Sequence, residues 1–500
     1  MPGKKRGSRV LERFLRPTIS DCLTIWLLGG LCFGIAMSSP LNDNDIWWQL
    51  IVGKIIVTTG HIPTTDLFSF TVSGKPWLAH EWMSEVVYWL TYSRFGPVGL
   101  SLLKSLLILA TFTIIYITCR RRGQNSNAAV IATGVAALIS MPFWSERPQL
   151  FGYLCLSMLV LLLQRFRSGG GLWAVVPLFA FWINVHASWP IGLFLLAVAG
   201  AEAAWDRSHD ADASRFRHFL TVLPFAALAL LITPRPFAHI SYPFQYLGLT
   251  SATRHLSGWQ QYVSEWQSPD FHYSIFAAFA LTLVGLPVLL RWSKAGVRPI
   301  ELAIVLILAA ASLHSMRHMP LFAIVTAPFL AEIIAGVRSS APAKSSNTAD
   351  IPLLNWMILL LLPVVIFTRL PQGASKFEDL SKFPKRAFDY LQSEPMGEKL
   401  LSRYDWGGYA IFRLWPDYKV FIDGRADVYG GNYAKRVLIL DHLKPGWRRE
   451  LRNADPDVIV WPCDQPLTQA LELTPEWRRV RLHPDDKVAA VFVPAGGTED

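Results

Sequence analysis

The chain has 500 residues, of which 52% are hydrophobic, only 17% are charged and 20 are tryptophan. Soluble domains carry about 25% charged residues, and here the missing charge reflects long apolar runs that are typical of transmembrane helices. The composition excludes a disordered chain, a collagen-like fibre and a small disulfide-stapled secreted domain. It predicts a polytopic α-helical membrane protein.

The formal net charge of +10 would fit a partner with a phosphate backbone if the basic residues formed one surface. Instead, Lys and Arg occur in short groups between apolar runs, and no basic stretch is interleaved with aromatic residues. We therefore expect no nucleic-acid partner. The five cysteines form no CxxC pair, so the sequence offers neither a disulfide framework nor a cysteine metal site.

Apolar runs recur along the first three quarters of the chain and predict about eleven membrane spans. They cover residues 22–40, 100–118, 128–143, 150–163, 172–185, 191–205, 219–232, 273–290, 300–313, 320–335 and 353–367. We predict a membrane domain over residues 1–370. No internal repeat with a period of 20 to 50 residues is visible.

The basic groups predict the orientation of these spans. Six basic side chains precede the first span, and threading the chain alternately through the membrane places the later groups on the same side. These later groups are Arg120–Arg122, Arg165 with Arg167, Arg207 with Arg215 and Arg217, Arg291 with Lys294 and Arg298, and Arg338 with Lys344. The positive-inside rule then predicts a cytoplasmic amino terminus, with loops 41–99 and 233–272 and all residues after the last span outside.

The first outer loop, 41–99, contains the strongest candidates for catalysis. Asp43 and Asp45 follow the first span directly, and His80 with Glu81 return to the same loop. A D-x-D pair can chelate a divalent cation such as Mg²⁺ or Mn²⁺, or provide one general base whose pKa its neighbour tunes. The alternative is that these acids only mark the end of a helix in water.

Two aromatic segments of this loop predict helices that lie flat on the membrane. IWWQLIVGKIIV follows Asp45, and EWMSEVVYWLTY begins after residues 76 and 77. Indole rings favour the level of the lipid headgroups. We therefore predict that Trp47 and Trp48 are interfacial anchors.

Further polar residues lie at the outer ends of later spans, where ionisable groups usually face a cavity. They are Glu146 with Arg147, Asn184 with His186, Glu265 with Trp266, and Arg317 with His318. Guanidinium groups can bind a lipid-linked phosphate through two parallel hydrogen bonds, so Arg147 and Arg317, together with His318, are candidate ligands of a phosphate. The alternatives are internal pairing, such as Glu146 with Arg147, and a packing role for His186.

Residues 371–500 change to a polar composition and predict an α/β domain outside the membrane. KVFIDGR and PDVIVWP resemble strands, LTQALELTPEWRR contains a helix, and the final stretch predicts a hairpin with HPDD as its turn. We expect Gly407 and Gly408 to form a tight turn and 423–425 to form a turn at a strand end. These turns either bind a ligand or are ordinary turn chemistry.

The order of motifs resembles the GT-C superfamily of membrane glycosyltransferases, and in particular a bacterial branch of multispanning proteins. The matching stretches are NDNDIWWQLIVGKIIVTTGHIPTTDLFSF, KPWLAHEW, SERPQL, FWINVHASW, VSEWQSPDF, RHMPLFAI, YDWGGYAIF and VFIDGRADVY. The resemblance implies a polyprenyl-phosphate-linked sugar donor, an outer carboxy-terminal domain, and an acid in the first outer loop that acts as base or metal ligand.

The same resemblance assigns roles to individual residues. Asp45, with Asp43, matches the acid of the first loop. Segment 263–265 is similar to the outer-loop glutamate motif of the oligosaccharyltransferase catalytic subunit, and 405–407 is similar to its acceptor-recognition motif. It thus implies acceptor-binding roles for four residues, Glu265, Trp266, Asp405 and Trp406.

The sequence therefore predicts a glycosyltransferase of the bacterial inner (cytoplasmic) membrane that acts on its outer face. It would move a sugar from polyprenyl phosphate to a lipid, glycan or protein acceptor. A transporter or flippase is the first alternative, although the related halves and midplane polar residues typical of that class are not visible. A non-catalytic envelope scaffold is the second.

Overall fold

The computed structural model describes residues 17–209, 213–247, 259, 263–338, 352–371, 373–482 and 487–496. Each of the eleven predicted apolar runs overlaps a helix. Up to residue 369 the helices are α1 (Ile19–Ser38), α2 (Ile46–Thr59), α3 (Trp82–Gly123), α4 (Ser126–Ser140), α5 (Gln149–Arg167), α6 (Val175–Val185), α7 (Trp189–His209), α8 (Ser214–Ala229), α9 (Pro236–Ser241), α10 (Ala277–Trp292), α11 (Pro299–His314), α12 (Met319–Arg338) and α13 (Pro352–Arg369).

Seven helices in the described part of the chain are long and apolar enough to cross a membrane, namely α1, α3, α4, α5, α10, α12 and α13. The other predicted spans, α6, α7, α8 and α11, are shorter or less apolar helices in the same bundle. The basic amino-terminal residues 1–16, Lys344 and part of the loop 233–272 lie outside the described residues.

Helix α3 is the longest element, with 42 residues, and it bends at Gly96, which precedes Pro97. Its first part is the helix predicted for EWMSEVVYWLTY, and its second part is the predicted span over 100–118. The two are therefore one bent helix rather than two separate elements. Because α3 packs against α2, α4, α5 and α12, it connects the first loop to the centre of the bundle.

The carboxy-terminal residues form a five-stranded mixed sheet covered by helices. The elements are α14 (Lys385–Ser393), β1 (Lys399–Ser402), α15 (Tyr404–Leu414), β2 (Lys419–Val420), α16 (Ala426–Tyr429), α17 (Gly431–Asp441), α18 (Trp447–Ala454), β3 (Val458–Pro462), α19 (Pro466–Glu472), β4 (Trp477–Val480) and β5 (Ala489–Pro494). The strand order is β2-β1-β3-β5-β4, with β1 parallel to β2 and β3, and β5 antiparallel to β3 and β4. The predicted hairpin strands are present, and its turn, 483–486, lies outside the described residues.

The first loop extends the edge of this sheet. Ser69 forms a parallel bridge with Val420 of β2, and the amide of Phe70 donates to the Val420 carbonyl at 3.1 Å. The Val420 amide in turn donates to the Phe68 carbonyl at 2.9 Å. The predicted membrane domain and the predicted outer domain therefore share backbone hydrogen bonds.

The prediction that Trp47 and Trp48 anchor the protein in lipid headgroups is wrong. Trp47 is only 2% exposed, and its ring lies 5.1 Å from the ring of Tyr409 and 5.0 Å from that of Phe412. Trp48 packs edge-on against Trp77 at 6.1 Å. Helix α2 is covered by α15, so its indoles lie in a protein core that a local sequence pattern cannot distinguish from a lipid surface.

The prediction of a tight turn at Gly407 and Gly408 is also wrong, because both residues lie inside α15. Their role is close packing. A Cβ atom on Gly407 would overlap with the carbonyl of Ile422, and one on Gly408 would lie 2.5 Å from the carbonyl of Asn44. The missing side chains therefore allow α15 to contact the first loop and the strand-end turn at the same time.

A buried ion cluster joins the two parts of the chain. The guanidinium of Arg425 donates to Asp423 at 2.6 and 2.8 Å and to Asp66 of the first loop at 2.6 Å, and all three side chains are inaccessible to water. The guanidinium also lies 4.8 Å from the ring of Phe68 and 4.7 Å from that of Trp77. We refer to Asp66, Asp423 and Arg425 as the inter-domain ion cluster.

We predict that Arg425→Met destabilises the protein strongly. Methionine fills much of the volume but leaves two buried carboxylates without a cation, and breaking such a pair typically costs about 3–5 kcal/mol. Arg452→Met is the matched control because Arg452 is exposed on α18. Thermal unfolding in detergent should show a large drop in Tm for the first variant and almost none for the second. Equal melting temperatures would contradict the role given to this cluster.

Candidate active site

Asp43 lies in a loop that is fixed by a buried carboxylate. Glu146 Oε1 accepts the backbone amides of Asn42 at 2.8 Å and of Asp43 at 3.0 Å, while its Oε2 lies 3.4 Å from the ammonium of Lys104. Glu146 is therefore paired with Lys104 of α3, and the alternative of a Glu146–Arg147 pair is not what the structure contains. Through these bonds the buried Glu146 carboxylate fixes the backbone of Asn42 and Asp43, which lie between α1 and α2.

Arg147 connects three of the predicted site residues. Its guanidinium lies 2.5 Å from Asp43, 3.3 Å from Asp45 and 3.1 Å from Glu265. Burial works against the charged guanidinium, but the three carboxylates outweigh it and raise the pKa of Arg147 well above its usual value. A phosphate at Arg147 would have to displace a carboxylate. We refer to Asp43, Asp45, Arg147 and Glu265 as the Asp45 cluster.

The carboxyl group of Asp45 lies in a confined position at the start of α2. Trp48 Nε1 donates to its Oδ1 at 3.2 Å, and the backbone of Gly424 is so close that an added Cβ atom would overlap with Oδ1. Removal from water, only partly offset by Arg147, and the neighbouring Asp43 raise the pKa of Asp45 to about 7. With 23% of its side chain still accessible, Asp45 can exchange a proton with a substrate near neutral pH.

The donor set around Asp43 and Asp45 does not fit a divalent cation as it stands. Both carboxylates are paired with the guanidinium of Arg147, which supplies the positive charge that a metal would bring. Within the described residues, no group of three or more His, Cys, Asp or Glu side chains is arranged to hold a metal ion. The binding of Mg²⁺ or Mn²⁺ by this pair stays a prediction.

A second group of titratable residues surrounds Glu81. Its Oε1 lies 3.5 Å from Nε2 of His80 and 3.5 Å from Nε2 of His186. Burial lowers the pKa of His186 to about 4, and the charges of Glu81, Arg317, His80 and Glu265 also act on this ring. Asp427 of the carboxy-terminal domain acts on His80. We refer to His80, Glu81, His186 and Asp427 as the His80 cluster.

Arg317 is the cation of this region that is free for a ligand. Its guanidinium lies 5.5 Å from the ring of Trp266, and in the part of the chain that the structure describes it forms no ion pair. The segment around Trp266 is fixed by Ser315, whose hydroxyl donates to the Glu265 carbonyl at 3.1 Å. His318, predicted to act with Arg317, has its Nδ1 3.2 Å from the Ser315 carbonyl instead.

The four predicted acceptor-binding residues separate into two pairs. Glu265 and Trp266 are brought into the site by Arg147 and Arg317. Trp406, however, is 5% exposed and its Nε1 donates to the Lys382 carbonyl at 2.8 Å, so its indole is part of the core. An acceptor contact at Trp406 stays a prediction. Asp405 is half exposed and lies 3.7 Å from Arg403, its only ion-pair partner among the described residues.

Several residues of the site escaped the sequence analysis. Lys104 lies inside an apolar run, which hid its pairing with Glu146. Asp427 belongs to VFIDGRADVY, where the density of acids is visible in the sequence but the electrostatic effect of Asp427 on His80 is not. Tyr242 stacks on His80, with ring centroids 3.9 Å apart, and carries no local signal at all.

No protein-family model matches the sequence, and no curated protein matches it. The chain does match solved structures. The chain is similar to arabinofuranosyltransferase AftD from Mycobacteria, with a TM-score of 0.52 and 13% identity over 95% of this chain and 40% of AftD. It is similar to ArnT from Cupriavidus metallidurans in the apo state, with a TM-score of 0.50 and 14% identity over 92% and 95% of the two chains. For ArnT bound to undecaprenyl phosphate the TM-score is 0.48, with 14% identity over 93% of this chain and 96% of ArnT.

At identities this low the likeness concerns the fold. This chain spans well under half the length of AftD but nearly the whole of apo ArnT. The arrangement of the helices agrees with the resemblance that the motifs predicted. The chain is a multi-pass membrane protein that has the GT-C fold and a carboxy-terminal α/β domain.

Proposed function

We propose that the protein is an integral membrane glycosyltransferase that moves a sugar from a polyprenyl phosphate to an acceptor hydroxyl. The observation that carries this proposal is the pairing of Asp45, whose pKa is raised to about 7, with Arg147, which also pairs with Glu265. The next residue, Trp266, packs against the guanidinium of Arg317, which forms no ion pair among the described residues. A general base and an anion-binding group are the two functions that this transfer requires.

In the proposed reaction Asp45 removes the proton of the acceptor hydroxyl as the oxygen attacks the anomeric carbon. Arg317 binds the phosphate that departs with the polyprenyl chain. Arg147 orients Asp43, Asp45 and Glu265, and its charge limits the rise in the pKa of Asp45. Glu265 and Trp266, on the segment beside Arg317, are proposed to contact the acceptor.

The class of donor is proposed from the fold and the site together. AftD is named as an arabinofuranosyltransferase, and ArnT, whose apo structure shares the fold, has been obtained with undecaprenyl phosphate. A polyprenyl phosphate presents one anionic group at the membrane surface, which fits the guanidinium of Arg317, a group without an ion pair among the described residues. The acceptor is proposed to be a lipid, glycan or protein at the same surface.

Purified protein should release polyprenyl phosphate from a polyprenyl-phosphate sugar in the presence of an acceptor extract from bacterial envelopes. A transporter would move the lipid across a vesicle membrane without breaking the sugar–phosphate bond, and a scaffold would do neither. Release of polyprenyl phosphate thus separates the proposed enzyme from both alternatives. Intact donor after prolonged incubation with every sugar and acceptor fraction would reject it.

We predict that Asp45→Asn abolishes transfer while the fold is kept. Asparagine retains the shape and the hydrogen bond from Trp48 but cannot take a proton, and loss of a general base costs about 10²–10⁴ in rate. Asp464→Asn is the control because Asp464 is an exposed acid of the outer domain. Initial rates and melting temperatures should be compared for both variants. A parental rate for Asp45→Asn would show that another group is the base.

We predict that Gly424→Ala lowers activity by displacing Asp45. The new methyl group would overlap with Oδ1 of Asp45 and would lie 3.3 Å from Nε1 of Trp48, so the Asp45 carboxylate has to move. Gly496→Ala is the control, since a Cβ atom there has nothing within 4 Å. The rate of Gly424→Ala should fall about tenfold or more with a shifted pH profile, whereas Gly496→Ala should match the parent. Identical pH profiles would argue that Gly424 does not position the base.

The orientation in the membrane is also a proposal, supported by the basic residues at one side of the spans. We propose an inner-membrane protein with a cytoplasmic amino terminus and residues 371–500 outside. A phosphatase fused after residue 500 should be active, because this reporter folds only outside the cytoplasm, and a cytoplasmic reporter at the same position should be inactive. The reverse pattern would place the proposed site on the wrong face.

A further inference from the structure

One face of helix α18 in the carboxy-terminal domain is formed by arginines. Arg448, Arg449 and Arg452 are all exposed, and the turn of an α-helix places residues with this spacing within an arc of about 100°. Leu451 and Ala454 lie on the other side of the helix and are buried. Helix α18 therefore packs through its apolar side and presents its arginines to solvent.

A lysine in the turn before α18 extends this face. Lys444 is exposed, and its carbonyl accepts the amide of Trp447 at 3.1 Å, which places the lysine at the amino-terminal end of the helix. The guanidinium of Arg448 lies 4.8 Å from the centre of the Trp447 ring, and this stacking orients the side chain before any ligand binds. We refer to Lys444, Arg448, Arg449 and Arg452 as the basic surface.

The acids next to the basic surface already have partners. Glu450 pairs with Arg436 of α17 at 2.9 Å, and Asp455 pairs with Lys399 of β1 at 2.9 Å. In the part of the chain that the structure describes, the cations of the basic surface form no ion pair. Their positive charges are therefore uncompensated, and a ligand with several negative charges is complementary to them.

Direct contacts connect the basic surface to the candidate site. Glu450 of α18 pairs with Arg436, whose guanidinium lies 5.1 Å from the ring of Phe421. Phe421 precedes Gly424 in the turn whose backbone touches the carboxylate of Asp45. The chain from 421 to 424 spans at most about 10 Å even when extended. Only a few side chains therefore separate the basic surface from the candidate base.

The chemistry of this face favours an acidic glycan over a membrane or a protein. A helix that binds lipid inserts its apolar side, but the apolar side of α18 is buried in the domain. Protein interfaces are centred on large apolar or aromatic side chains, and among the described residues after 371 the large hydrophobic side chain that is exposed is Leu473, which lies outside α18. A glycan needs neither feature, because its acidic groups bind the cations and its hydroxyl groups can bond to the exposed amide of Asn453.

We propose that the basic surface binds an acidic glycan and that this glycan is the acceptor whose hydroxyl enters the candidate site. The inference rests on the proposed glycosyl transfer and names the class of its acceptor, a saccharide chain that carries carboxylate or phosphate groups. Part of the chain contacts the arginines of α18 while its end lies near Asp45. The basic surface thus contributes to acceptor affinity and not to the chemical step.

The first test is the binding of polygalacturonate, an acidic glycan, to the full chain in nanodiscs of phosphatidylcholine. The parent should bind it, with an affinity that falls as salt is raised, and should not bind neutral dextran of the same length. A variant with Arg448→Gln, Arg449→Gln and Arg452→Gln should bind at least about tenfold more weakly, because it loses several exposed charge contacts. A parent that binds polygalacturonate no better than dextran would overturn the proposal.

A second triple variant is the matched control. Arg478→Gln, Arg481→Gln and Lys487→Gln remove the same charge from exposed positions that belong to β4 and the hairpin after it. This variant should bind polygalacturonate within about twofold of the parent, since charges outside the contact are screened. Equal weakening in both variants would show a general attraction to basic residues and would reject the basic surface. Phosphatidylglycerol vesicles provide another arm, and a loss of vesicle binding in the α18 variant with unchanged polygalacturonate binding would assign the surface to membrane lipid instead.

Turnover distinguishes failure of this inference from failure of the proposed function. With an acidic glycan fraction of bacterial envelopes as acceptor, the α18 variant should raise KM for the glycan about tenfold and keep a parental kcat. An unchanged KM together with parental release of polyprenyl phosphate would refute the role of the basic surface and leave the proposed function intact. If the surface binds polygalacturonate but the parent releases no polyprenyl phosphate, the proposed function fails and the glycan-binding surface stands.

Discussion

The placement of the candidate base depends on a guanidinium buried between two parts of the chain. Arg425 pairs with Asp423 on its own turn and with Asp66 on the first loop, inside an aromatic cage. Arginine suits such a position because its planar fork can bond both carboxylates at once and stays charged when buried. The turn that carries Arg425 also carries Gly424, whose backbone touches Asp45. The cluster that fixes the domains therefore also fixes the base.

These contacts explain why the carboxy-terminal α/β domain is part of the candidate site. The first loop adds a segment to the edge of β2, α15 covers α2, and Asp427 reaches the His80 cluster. The candidate site is lined on one side by the helical bundle and on the other by the carboxy-terminal domain. Arg147 and Arg317 lie just before α5 and α12, respectively. Loss of the inter-domain contacts would expose the apolar surface of α2 and release the backbone next to Asp45.

The sequence was informative where one physical pattern dominates and uninformative where two patterns compete. Apolar runs predicted the helices of the bundle, because lipid and protein interior both require them. For the same reason Trp47 and Trp48 were misassigned to lipid, since their neighbours in α15 are more than 350 residues away in the chain. Asp43, Asp45 and Glu265 were found as acids near span ends, but their convergence on Arg147 is tertiary. Gly407 and Gly408 show that a glycine pair signals small volume as readily as a turn.

The electrostatics of the Asp45 cluster show how a carboxylate can serve as a base near neutral pH. Burial and the charge of Asp43 both favour a protonated Asp45 and raise its pKa. Arg147 opposes them from 3.3 Å, and the balance is a pKa of about 7. A general base is most effective when its pKa lies near the working pH, because it is then both basic and largely deprotonated. The charges of Asp43, Glu265 and Arg147 therefore adjust the basicity of Asp45, while Arg317 forms no ion pair in the part of the chain that the structure describes.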